Sequence, residues 1–154
     1  MSAIEQRLEE AGYTLPEVGK PLAAYVPTMR DGDNVYTSGQ LPVIEGALAG
    51  TGKVGDEVSV ADAAGYARIC VLNGLAAIKA EIGDLDKIAQ ITKVVGFVAS
   101  GTDFAEQHLV VNGASEFLGE VFGDKGIHAR SAVGVAMLPM NAPVEVEMMV
   151  KVHD

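Results

Sequence analysis

Two periods of apolar positions run along this chain, and the switches between them divide it into elements. Residues 3–11 place Ile4, Leu8 and Ala11 on one side of a short amphipathic helix, which Gly12 and Pro16 end. Leu22 to Thr28 and Val35 to Leu41 read as the arms of a hairpin around the turn residues Asp31-Gly32-Asp33-Asn34. After Pro42, the Gly-rich stretch 46–55 reads as the most flexible loop of the chain. Ser59 then opens a long helix, with Asp62 three residues on in a near capping-box arrangement. Ala64, Ala67, Val71, Leu75 and Ile78 repeat at helical spacing through Ala80, and Gly83 stops the pattern. Ile88 to Ala99 is too apolar for a strand with one wet face and reads as a central strand. A second long helix is expected from about Asp103 to Phe122, with Thr102 as N-cap, Val110, Ala114, Phe117 and Val121 as its stripe and Gly123 as its stop. Ala129 to Leu138 is a strand ended by Pro139. Val144 to Val152 alternates cleanly, valines and Met148 one way, Glu145, Glu147, Met149 and Lys151 the other.

The order is β-β-α-β-α-β-β behind a short helix, an α+β arrangement. Two helices cannot cover both faces of such a sheet, so they pack on one face and leave the other to water or to another subunit. On the 129–138 strand, Arg130, Ala132, Gly134 and Ala136 share one side. Small residues there allow another backbone to come close, which makes the bare face a candidate oligomer contact; a solvated polar face is the simpler alternative.

Composition narrows the classes. A length of 154 residues suggests one domain, and 49% hydrophobic against 21% charged residues is enough for a core that, without tryptophan, is mostly aliphatic. The net charge of −10 repels polyanions, so neither nucleic acid nor an anionic membrane surface is an expected partner. One cysteine, Cys70, forms no intrachain disulfide and fits a reducing compartment. With no signal-like N-terminus and no apolar stretch of membrane-spanning length, a cytoplasmic location is expected.

Candidate chemistry is sparse. Arg130 begins a strand otherwise poor in charge, and its planar fork suits a carboxylate, from a ligand or from an acidic neighbour. Glu145 and Glu147 share the polar side of the last strand, where a carboxylate can position water or simply face solvent. Tyr25 and Ser38 are possible hydrogen-bond donors to a ligand, and Gly39 marks a close approach or a bulge. His128, two residues from Arg130, is the better placed of two acid–base candidates, the other being His108. With His153, the histidines show no metal spacing. Cys70 reads as a buried small hydrophobe, and the Gly-rich loop lacks a phosphate-loop ending. Asn73 and Asn112 sit in the two helices as polar residues suited to hydrogen bonding.

The combination resembles the RidA/YjgF family of reactive intermediate deaminases. Tyr36-Thr37-Ser38-Gly39-Gln40-Leu41-Pro42 is similar to its first signature. His128-Ala129-Arg130-Ser131-Ala132-Val133, Met137-Leu138-Pro139 and Val144-Glu145-Val146-Glu147 are similar to its C-terminal one. The resemblance spans roughly residues 20–152, so the helix within 1–15 is an addition to a single 1–154 domain. It implies a chorismate-mutase-like α+β subunit, a mixed sheet with two long helices on one face, in a homotrimeric barrel with ligand sites at the subunit interfaces. It also implies hydrolysis of small enamine or imine acids to a keto acid and ammonia, without metal or organic cofactor. Carried over by position, Arg130 grips the substrate carboxylate of a small metabolite, Glu145 positions water, and Tyr25, Ser38, Gly39, Ala132, Asn112 and His128 line the pocket. Ala132 stands where many active members have cysteine, and His128 where proline is usual, which marks a divergent subgroup. A non-catalytic trimer that binds a small metabolite is the alternative.

Overall fold

The computed structural model describes residues 2–19 and 24–154. The elements are α1 (Ala3–Glu10), β1 (Thr28–Asp31), β2 (Asn34–Thr37), β3 (Val43–Ile44), β4 (Ala47–Leu48), α2 (Val60–Ile82), β5 (Ile88–Ala99), α3 (Gln107–Phe122), β6 (Ala129–Val135) and β7 (Val144–Val152). The main sheet has the order β1-β2-β7-β5-β6 and is mixed: β6 runs parallel to β5, joined by the α3 crossover, and the other pairs are antiparallel. β5 sits inside the sheet as its apolar run requires. No described helix is long and apolar enough to cross a membrane.

α2 follows the sequence signals closely. The Ser59 hydroxyl accepts from the Asp62 N–H at 3.1 Å, and Gly83, at φ 87°, closes the helix with its N–H on the Lys79 carbonyl. Its apolar stripe is wider than the five expected positions, since Cys70, Gly74 and Ala77 are buried too, while Ala64 is only half-buried. α3 begins later than expected. Thr102 does not cap it; the helix starts at Gln107, with no side-chain cap at Glu106. Phe104 explains the delay: it packs against the core beside Gly55, and the chain turns there before the helix starts. α2 and α3 meet at Gly113, where any Cβ would collide with the Ala64 backbone carbonyl. The two long helices cover one sheet face, burying Val94, Val98, Val144, Val146, Met148 and Val150.

α1 and the residues after it lie over this helical layer. Ile4 and Leu8 are buried, Asp86 accepts from the Ala3 and Ile4 N–H groups at 2.9 Å each, and Tyr13 stacks edge-on with Phe117 under Arg68.

Two loop expectations change. The first hairpin is shorter than expected: β1 starts at Thr28 and β2 ends at Thr37, and Leu22 lies outside the described residues. The Ser38 hydroxyl and N–H bond the Val26 and Pro27 carbonyls, which takes the chain off the β2 line. Stretch 46–55 is structured rather than loose. β3 and β4 form a small hairpin, Gly52 is buried with its N–H on the Asn141 carbonyl, and Asn73 of α2 donates to the Leu41 and Val43 carbonyls at 3.0 Å each.

Candidate functional site

Strand register decides which site residues share a face. On β5, Val94 pairs with Arg130 of β6 and with Met148 of β7, so Arg130 points to the helix-covered side. Phe97 pairs with Val133 and with Glu145, so Glu145 points to the open side. The two residues expected to act together therefore lie on opposite faces of the chain's sheet. The stripe of Arg130, Ala132 and Gly134 is also not on the bare face. Ala132 packs against the main core, and the space beside Gly134 is filled by Gln107 and Ser100. The small residues of β6 make room for α3 and its approach, not for a second chain.

Arg130 is half-buried at the rim between β6 and α3. Its Nη1 donates to Ser115 Oγ and its Nη2 to the His108 carbonyl, both at 3.1 Å. It has no carboxylate partner; the ion pairs among the described residues are Arg30–Asp154 and Lys79–Glu5. The acidic-neighbour explanation of Arg130 is thus not what holds it. His128 joins the same cluster, with Nε2 2.8 Å from Ser115 Oγ and Nδ1 2.6 Å from the Gly126 carbonyl. His108, Asn112 and Ser115 follow at i, i+4 and i+7 on α3, one stripe turned toward this rim. Ser115 escaped the reading of the sequence; the polar i, i+4, i+7 stripe beside an apolar one was its signal.

The second group lies across the sheet. Glu145 is half-buried, and its carboxyl is held above the usual range, first by burial and then by the charge of Glu147. Its side chain lies over Gly39: a Cβ there would come within 2.6 Å of Glu145 Oε2, so glycine serves as space for the carboxylate rather than as a bulge. The Ser38 hydroxyl is 2.5 Å from the Val26 carbonyl, which occupies its donor. Tyr25 is exposed and lies outside β1. Cys70 is buried, with Sγ 3.8 Å from the Val144 carbonyl, and burial raises its thiol pKa well above the ordinary value; it is a packing residue. No group of three or more metal-ligating side chains exists among the described residues.

The remaining open face carries Met29, Tyr36, Met149, Lys93, Val95, Glu147, Ser131 and Val133 in register. Met29, Tyr36 and Val133 are exposed at 60%, 40% and 43%. One end of this face is covered by a second small core of Ala99, Leu138 and Ala142, with Leu41, Leu48, Phe97 and Val135 around it.

These features define an α+β fold with a mixed sheet, helices on one face and a polar cluster at a strand rim. The chain belongs to the YjgF/chorismate mutase-like family: the family model described as "YjgF/chorismate_mutase-like, putative endoribonuclease" matches residues 5–152. Protein TCP17 of Trypanosoma cruzi is 38% identical over 152 residues, covering 98% of this chain and 95% of that one. The crystal structure of Atu1372 from Agrobacterium tumefaciens superposes with a TM-score of 0.92 at 49% identity, over 98% of this chain and 93% of that one. A structure from Shewanella oneidensis MR-1 does so with a TM-score of 0.95 at 32% identity, over 98% and 100%. Escherichia coli TdcF, solved with bound serine, is a looser match: TM-score 0.64, 26% identity, 92% and 96% coverage.

Proposed function

We propose that the protein hydrolyses small, reactive enamine or imine acids of the 2-aminoacrylate type to a keto acid and ammonia, in a homotrimer whose sites lie between subunits. The observation that carries this reading is Arg130. In a chain of net charge −10, a half-buried guanidinium has no carboxylate partner, and only two of its N–H donors are used. Such a group suits a small carboxylate. The bound serine of TdcF, an amino acid, has the same kind of head group.

Glu145, whose raised pKa suits proton exchange with water, takes the water-positioning role. Since Arg130 and Glu145 face opposite ways in one subunit, a pocket using both is built between copies, one giving the β6 rim and the other its open face. The partly apolar open face supplies the contact. The imine is already electrophilic, so one charge clamp and an oriented water suffice for the reaction, and no cofactor is called for.

The test generates 2-aminoacrylate in situ with a serine dehydratase and follows pyruvate release. Acceleration over buffer, lost in Arg130→Ala, is expected. Folded protein that gives no acceleration overturns the deaminase reading. If that protein still binds pyruvate through Arg130, the non-catalytic reading, which the hydrogen-bonded and already oriented guanidinium also favours, takes its place.

A further inference from the structure

Ser115 stands between two basic side chains, and the carbonyl partner of His128 sets the tautomer of its neutral ring. The Gly126 carbonyl can only accept, so His128 Nδ1 carries the hydrogen of that 2.6 Å contact. In the neutral ring, Nε2 then holds a lone pair, and the 2.8 Å contact is the Ser115 O–H donating to it. Arg130 Nη1 donates to the same oxygen at 3.1 Å from the other side. Two pieces of chain meet here: the polar stripe of α3 and the segment 126–130, which carries the Gly126 carbonyl, His128 and, in β6, Arg130. All three residues are half-buried.

We propose that Ser115 is an activated nucleophile, with His128 as its base and Arg130 as its electrostatic support, and that it accepts acyl groups from small activated carboxylic esters. The arrangement meets two geometric demands of covalent catalysis, a nucleophile hydrogen-bonded to its base and a base oriented by a third group, and Arg130 adds a positive charge beside the oxygen. In the first step Oγ bonds to the ester carbonyl carbon and its proton passes to His128 Nε2. The carbonyl oxygen becomes an anion facing the unused N–H donors of Arg130. Collapse breaks the bond to the leaving alcohol, which takes the proton from Nε2 and leaves acyl-Ser115. Water then repeats the sequence through the same base, releasing the carboxylic acid and restoring the hydroxyl. The activity is separate from imine hydrolysis and does not depend on it, since neither Glu145 nor a second subunit takes part.

A hydroxyl that only ties α3 to β6 would make the same contacts and remain inert, and reactivity separates the two cases. Folded protein is incubated with p-nitrophenyl acetate, nitrophenolate release is followed, and the acetylated peptide is mapped by mass spectrometry. The expected adduct is on Ser115. It is absent in Ser115→Ala and after prior unfolding in urea, and its rate of formation drops by about 10²-fold or more in His128→Gln, as for loss of a general base. Circular dichroism establishes that each variant is folded. If Ser115→Ala does not fold, the mapped adduct and the His128→Gln rate decide by themselves. Wild-type protein without an adduct on Ser115, or His128→Gln acetylated there as fast as wild type, overturns the proposal.

Discussion

Val94, Gly96 and Val98 of β5 point under the helices; Val95, Phe97 and Ala99 point the other way. The first set meets α2 and α3 in one continuous core, with Val94 and Val98 fully buried and Gly96 so close to Val111 that a Cβ would not fit. The second set meets a small cluster at one end and little else, and Val95 and Phe97 stay half-buried. Both sets of β5 residues are apolar, but the open face as a whole also carries Lys93, Glu145, Glu147 and Lys151, so the two faces differ in cover and in charge. The covered face is closely packed, and its charged side chains, Arg30 of β1 and Arg130 of β6, sit on the edge strands. The open face keeps Glu145 and Glu147 among apolar neighbours. The sheet is therefore finished on one side, under the helices, and left largely uncovered on the other.

The largest effect follows from truncating the finished side. Leu75 of α2 is fully buried, so Leu75→Ala removes its transfer free energy and leaves a cavity between helix and sheet, a loss of about 2–5 kcal/mol. Val133→Ser, on the open side, is expected to change the stability of the isolated subunit by no more than about 0.5 kcal/mol. Urea unfolding of both variants at low protein concentration checks the difference. Similar losses would mean that the two faces are equally packed, and the contrast would fall.

The open side is expected to respond in association instead. Placing charges in its apolar register, as in Tyr36→Lys with Val133→Asp, should leave the far-ultraviolet spectrum and the folded core in place. Sedimentation should then shift from a multi-subunit species to the monomer, because two buried charges without designed partners oppose the contact. A wild-type protein that sediments as a monomer, or a variant still fully assembled, would show that the open face is not the contact surface.

Much of the finished side was legible in the sequence. The Ser59 cap, the Gly83 stop, the β5 run and the alternation of β7 are local signals, and the structure uses each as local physics suggests. The start of α3 was not legible, because Phe104 is drawn into a core whose other half is distant in sequence. For the site, alternation within β6 and within β7 was readable, but the phase between the strands was not. Period-two patterns fix which residues share a side of one strand, and only inter-strand register fixes whether two strands point the same way. The resemblance brings Arg130 and Glu145 to one site, and the register places them on opposite faces of one chain's sheet. The small side chains of β6 carried the same ambiguity: room for α3 and room for another subunit leave one pattern.

The smallest effect concerns Glu145 and tests what the open face meets. Burial, and after it the neighbouring Glu147, raise its pKa from an ordinary value of 4.5, so the folded chain holds this proton at pH values where the unfolded chain has released it. Stability then falls as pH rises through the window that begins near 4.5, and the full penalty remains at neutral pH. Glu145→Gln has no charge to desolvate. It should be more stable than wild type at pH 7, by less than about 1 kcal/mol because the group is only half-buried, and the gain should vanish below about pH 4.5. Urea midpoints at pH 4 and pH 7 on dilute protein measure both ends. Repeating them at high concentration sharpens the comparison. If the Gln variant becomes the less stable one only when subunits associate, the carboxylate has gained a donor from a second copy, and the unfinished face is completed by the same chemistry that the Arg130 rim leaves unpaired.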